Sequence, residues 1–101
     1  MLYSVMCRLA RPAAEYPTLS GAIQAVGVAN WPVNDGSWLV ESDRSPDEIR
    51  DALAASIEDG DVALVLPVSL IRGRWTGLKR YRYALAFVRG ALTREQAGAS
   101  R

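Results

Sequence analysis

The stretch LYSVMCRL, residues 2–9, decides the fold. Tyr3, Val5, Cys7 and Leu9 fall on one side and all are apolar; Leu2, Ser4, Met6 and Arg8 fall on the other, which is mixed. A period of two with one clean apolar side marks a strand in a sheet that helices cover on one face. The rest of the chain has to supply the neighbouring strands and the covering helices.

Outward from that strand, residues 10–17 (ARPAAEYP) read as a loop punctuated by Pro12 and Pro17. Pro17 suits the first turn of a helix, where its missing N–H costs nothing. Leu19, Ala22, Ile23 and Val26 recur at helical spacing, and Gly27 is a C-cap candidate. Residues 28–34 (VANWPVN) form a weaker strand, because Pro32 belongs on an edge or at a bulge. Asn34-Asp35-Gly36 signals a hairpin, and SWLVES, residues 37–42, is the returning strand. Trp31 and Trp38 lie across that turn and are expected to pack as a cross-strand pair; facing outward they would be anchors for a second copy or for a base.

Ser45-Pro46-Asp47-Glu48 has the form of a helix start: a capping serine, proline at the first position and a glutamate that completes a capping box. Ile49, Leu53 and Ile57 make the apolar stripe, and Asp59-Gly60 is expected to end the helix. DVALVLPV, residues 61–68, reads as a short apolar strand buried in the sheet. The order is therefore strand, helix, strand, hairpin, strand, helix, strand. That predicts an α+β fold, a ferredoxin-like β-α-β-β-α-β sandwich with a C-terminal extension. The core spans residues 1–69, and residues 70–101 are a basic extension of the same single domain. Within it, residues 84–92 (ALAFVRGAL) form a short helix or an added strand, and TREQAGASR is a polar tail.

The totals narrow the chemistry. A chain of 101 residues, half of them apolar, makes one domain with a single core. No run of about 18 apolar residues is present, and MLYSVMCRLA lacks the pattern of a signal peptide. A lone cysteine, Cys7, forms no internal disulfide, and a reducing cytoplasm is the expectation. With no histidine, serine–histidine and cysteine–histidine catalysis are excluded, and the commonest metal ligand is missing. No cofactor and no metal site are expected.

The net charge of +1 hides an asymmetry. Residues 1–70 hold four arginines against ten carboxylates, a net of −6; residues 71–101 hold eight bases against Glu95, a net of +7. The bases concentrate in LIRGRWTGLKRYRY, residues 70–83, where Arg72, Arg74, Lys79, Arg80 and Arg82 alternate with Trp75, Tyr81 and Tyr83. Nucleic-acid binders combine phosphate-seeking bases with stacking aromatics in this way. The alternatives are docking on the acidic body of the same protein or of a twin copy, and a solvated surface.

Taken together, the YSVMCRL strand, Glu15-Tyr16-Pro17 with Leu19 and Ile23, Ser37-Trp38-Leu39-Val40, the run from Ser45 to Leu53, and Gly60-Asp61 form a recognisable pattern. Over residues 2–68 the chain resembles the SinR-family small proteins. These are relatives of the ferredoxin-like small subunit of CRISPR adaptation complexes and of the virulence-associated ribonuclease D type. The resemblance implies a homodimer, often completed by C-terminal segments that cross to the partner sheet. For some members it also implies a metal-dependent nuclease, with an aspartate at the end of the first strand holding the metal. The matching position in this chain is Arg8, a permanent cation that cannot ligate a metal, so that site does not transfer.

The candidate site residues are therefore Arg8, Arg72, Arg74, Trp75, Lys79, Arg80 and Arg82 for nucleic acid, with none assigned to catalysis or metal. Arg8 reads either as a phosphate or cross-dimer contact or as a solvent-facing strand arginine. Cys7 reads as a small core residue. Asp59 and Asp61 flank Gly60; they read as turn chemistry and a solvated carboxylate, or as two oxygen ligands for magnesium. The expected function is a non-catalytic homodimeric module that associates with nucleic acid or serves in a nucleoprotein assembly. Two alternatives stand beside it: a divergent metal-dependent endoribonuclease of the toxin type, and a protein-directed antitoxin, inhibitor or assembly factor. No membrane partner is expected.

Overall fold

The computed structural model describes residues 1–68 and 86–91. The elements run β1 (Leu2–Arg8), a turn of 3-10 helix (Ala13–Glu15), α1 (Leu19–Val26), β2 (Ala29–Asn34), β3 (Ser37–Glu41), α2 (Pro46–Ala54) and β4 (Val62–Val68). Residues 86–91 form a further helical turn. The chain is an α+β fold with one antiparallel sheet in the order β2-β3-β1-β4. No helix among the described residues is long and apolar enough to cross a membrane.

β1 lies inside the sheet, paired to β3 along one edge and to β4 along the other. Tyr3 and Val5 are buried, with Cys7 and Leu9 beside them, against Tyr16, Leu19, Ile23, Val26, Val40, Ile49 and Leu53. This is the main core, and α1 and α2 supply its helical half. On the opposite side Leu2 is buried against Val88 and Ala91, with Leu39, Val68 and Phe87 around them. The helical turn at 86–91 thus covers one end of the second face of the sheet.

The start of α2 is built as its sequence indicates. Ser45 Oγ accepts from the Glu48 N–H at 3.2 Å, and Glu48 Oε1 accepts from the Ser45 N–H at 3.2 Å. The reciprocal bonds satisfy two of the free donors at the helix start. Behind it, the buried Ser42 hydroxyl donates to the Val26 carbonyl at 2.5 Å and accepts from the Arg44 N–H at 3.0 Å. That fixes the end of α1 to the exit of β3.

Several elements differ from their sequence reading, each for a local reason. α1 begins at Leu19 with Thr18 at the N-cap, so Pro17 stands ahead of the helix and not in its first turn. Gly27 is extended (φ −114°, ψ 156°) and is not a left-handed cap. It is needed for close approach: a β-carbon there would lie 2.8 Å from Val40 Cγ1 and 3.0 Å from the Glu41 carbonyl. α2 stops at Ala54, before the Asp59-Gly60 pair, and Ile57 reaches the core from the loop that follows.

The two tryptophans do not face each other. Trp31 pairs with Leu39 and Trp38 with Pro32, so they project from opposite faces; a register shift sits between Pro32 and Asn34. β4, read as buried within the sheet, stands at the end of the sheet among the described residues, where its pairing is to β1. Val62, Leu64 and Leu66 are 46%, 50% and 45% exposed on the face opposite α1 and α2, beside Met6 of β1. An unbroken apolar run does not distinguish a strand covered on both faces from one whose outer face is open.

Truncating the core and removing the cap should differ in size. Leu53→Ala is expected to lower stability by about 2–5 kcal/mol and Ser45→Ala by about 1 kcal/mol, read from urea unfolding midpoints. Equal, small effects for both would contradict this account of the core.

Candidate functional site

Sequence reasoning points to Arg8, and the site is built outward from it. Arg8 is the last residue of β1 and pairs across the sheet with Val62, the first residue of β4. The loops that leave these two residues meet there. One is residues 9–11; the other is the turn Glu58-Asp59-Gly60-Asp61, closed by the Asp61 N–H donating to the Glu58 carbonyl at 3.0 Å. Gly60 holds φ +91°, the left-handed region that glycine enters freely.

Asp61 ties the two loops together. Its Oδ1 accepts from the Ala10 N–H at 3.0 Å. Its Oδ2 accepts from the Tyr16 hydroxyl at 2.8 Å and from the Glu58 N–H at 2.9 Å. These donors hold the Asp61 carboxyl below the usual carboxylate range, the Glu58 N–H contributing most and the Tyr16 hydroxyl next. Burial first, and then the bond to Asp61, push the Tyr16 phenol up.

Arg11 closes the outside of the network. It forms an ion pair with the Glu58 carboxylate and lies over the Tyr16 ring, 5.0 Å from its centroid. Glu58 is the main reason its guanidinium is held more firmly charged than usual. The Cys7 thiol is half-buried; burial, and secondarily the Asp61 charge, raise its pKa, which disfavours the reactive thiolate. Cys7 is a packing residue, as its sequence position indicates.

The rim left by these contacts is a cleft of about 390 Å³ lined by Arg8, Leu9, Ala10, Asp59, Gly60 and Asp61. Arg8 is exposed and has no ion-pair partner among the described residues. Asp59, which also lines the cleft, is exposed. The pair of carboxylates considered as magnesium ligands is therefore unequal. Asp61 has three donors already, and metal binding would have to displace them. Among the described residues no group of three or more Asp, Glu or Cys side chains stands together as a metal site. Arg72, Arg74, Trp75, Lys79, Arg80 and Arg82 lie outside the described residues.

Two further features were not read from sequence. The Asp35 carboxylate, assigned to hairpin chemistry, accepts from the Ala13 N–H at 3.0 and 3.2 Å and so fixes the 3-10 turn to the hairpin. A second cleft, about 360 Å³, opens beside it, with Leu19, Pro32 and Trp38 in its wall. The Tyr16–Asp61 bond joins residues 45 apart in the chain, a separation for which sequence spacing gives no signal. Comparisons with protein-family models, with curated proteins and with solved structures found no match for this chain.

The Asp61 network makes a pH prediction. A carboxylate with a lowered pKa stabilises the fold above the ordinary carboxylate range. That contribution is lost as pH falls from about 4, where unfolded aspartates titrate, through the lower folded value. Asp61→Asn should lower the melting temperature at pH 7 and flatten its fall in acid. Tyr16→Phe should do the first and only part of the second. An Asp61→Asn protein that melts like the parent at both pH values would contradict the assignment.

Proposed function

We propose that this chain is a non-catalytic homodimeric module, of the ferredoxin-like class, that associates with nucleic acid or serves within a nucleoprotein assembly. The observation that carries this reading is the exposed Arg8, without an ion-pair partner among the described residues, at the end of the central strand and lining a cleft whose inner carboxylate already accepts from three donors. A fixed cation at this point attracts an anion and repels a divalent metal. The charge distribution supports the same reading, since residues 71–101 carry a net of +7 and the body before them a net of −6.

The strand order β2-β3-β1-β4, all antiparallel and with both long helices packed into one core, supports the ferredoxin-like assignment. The likeness to SinR-family proteins is then a statement about the same element order, with Arg8 as the departure that removes the metal. The homodimer is supported by the apolar residues left open on the outer face of β1 and β4, Met6, Val62, Leu64 and Leu66. Scattered exposed apolar side chains need no partner, but a contiguous set on two paired strands marks an interaction surface.

In binding titrations with a labelled oligonucleotide across a salt series, log K should fall linearly with log salt concentration. Arg8→Ala should reduce that slope by about 0.7 on single strands or about 0.9 on duplex, the equivalent of one phosphate contact. Asp59→Asn, which removes a rim charge of the wrong sign, should leave the slope unchanged or tighten binding. Absence of binding at low ionic strength would remove nucleic acid from the proposal and leave a protein-directed role. Light scattering should report a dimer.

A further inference from the structure

Among the described residues the sheet ends on two different edges. β2 has the features that keep an edge from pairing: Pro32, a register shift, and the polar Asn30 and Asn34. β4 has almost none. It runs seven residues, VALVLPV, without a charge, and it holds register with β1 from Val62 to Val68 without a break. Pro67, near one end, is its one safeguard. Among the described residues nothing pairs with the outer side of β4. A long, regular, uncharged edge of this kind is a template for another strand.

The sequence of β4 indicates which strand. VALVLPV reads nearly the same in both directions about Val65: Val62 mirrors Val68, Leu64 mirrors Leu66, and Ala63 with Pro67 is the mismatch. Antiparallel pairing reverses one strand against the other. A strand with this symmetry therefore meets its own copy like-to-like, and the lack of charge means that no like charges are set opposite each other.

We propose that β4 pairs antiparallel with β4 of a second copy, with Val65 on the two-fold axis. The two four-stranded sheets then join into one of eight strands, through an isologous contact in which each residue meets its mirror position. Leu64 lies against Leu66 of the second copy, and Val62 against Val68, which covers part of the exposed apolar set on β4. Pro67 withholds one donor at each end of the pairing and leaves the central residues free to bond. The open faces of both copies fall on the same side of the joined sheet. By strand alternation both Arg8 side chains belong to that side, so a single extended anion could meet two fixed cations. The inference rests on the homodimer reading and names its interface.

Register-specific cross-linking tests it. In a Cys7→Ala background, chains carrying Leu64→Cys are mixed with chains carrying Leu66→Cys and oxidised. Directly opposed residues have Cα atoms about 4.5–5.5 Å apart, inside disulfide range, whereas a residue and its own copy would be diagonal neighbours at about 7–8 Å. A covalent dimer in the mixture and none in either variant alone is the expected result. A protein that stays dimeric by light scattering but does not cross-link in the mixture would overturn the β4 interface and leave the homodimer standing. A monomer would overturn both, and would assign the edge to the chain's own residues or to another protein. Amide exchange at Ala63 and Val65, slowing as protein concentration rises, is the expected companion result with no cysteine introduced.

Discussion

The structure depends on β1 being paired on both edges, covered by α1 and α2 on one face and, at Leu2, by the turn at 86–91 on the other. β3 holds it on one side and β4 on the other, in registers that share Leu2 through Met6. Its inward residues Tyr3 and Val5 meet the helices, and Leu2 on the other side meets the helical turn at 86–91. Once these seven residues are fixed, the other elements have little freedom. The hairpin must place Val40 beside Val5's layer, and α1 and α2 must set Leu19, Ile23, Ile49 and Leu53 against it. Both ends of β1 then become fixed points. At the carboxyl end that point is Arg8, held at a sheet corner where two loops converge.

The chemistry at that corner is governed by a single carboxylate. Asp61 takes two backbone donors and one phenol, which ties the loop after β1 to the loop before β4. A carboxylate so engaged is a structural acceptor; hydrogen bonds stabilise its charged form, and a metal would have to displace them. The Arg11–Glu58 pair sits outside it on the surface, where such pairs contribute little to stability. Its guanidinium lies over the Tyr16 ring. Among the described residues, Arg8 and Asp59 remain uncommitted at the rim, and they can attract, orient or repel a ligand.

Much of the architecture was legible in the sequence because its determinants are local. The alternation of residues 2–9, the Ser45–Glu48 capping box and the Asn34-Asp35-Gly36 turn each act within a few residues, and each appears where the sequence places it. Local sequence misleads where the determinant is distant. Gly27 is dictated by the approach of Val40, and the register shift at Pro32 separates the two tryptophans. The position of β4 at the end of the sheet among the described residues depends on what pairs with it, which its apolar run does not encode. Of the candidate site, Arg8 was legible through the resemblance to the SinR-family proteins, as the position that matches the metal-holding aspartate which that resemblance implies. The roles of Tyr16, Arg11 and Asp61 were not, because they arise from contacts between loops 45 or more residues apart.

The central claim is that this corner binds without performing metal-assisted chemistry. The most direct test follows a labelled RNA and a labelled DNA in one experiment with the protein at low ionic strength, with and without magnesium or manganese, measuring anisotropy and then strand integrity. The account predicts raised anisotropy that falls with salt and strands that remain intact under every condition. Strands cut only when the divalent ion is present would contradict it and restore a nuclease built on other carboxylates.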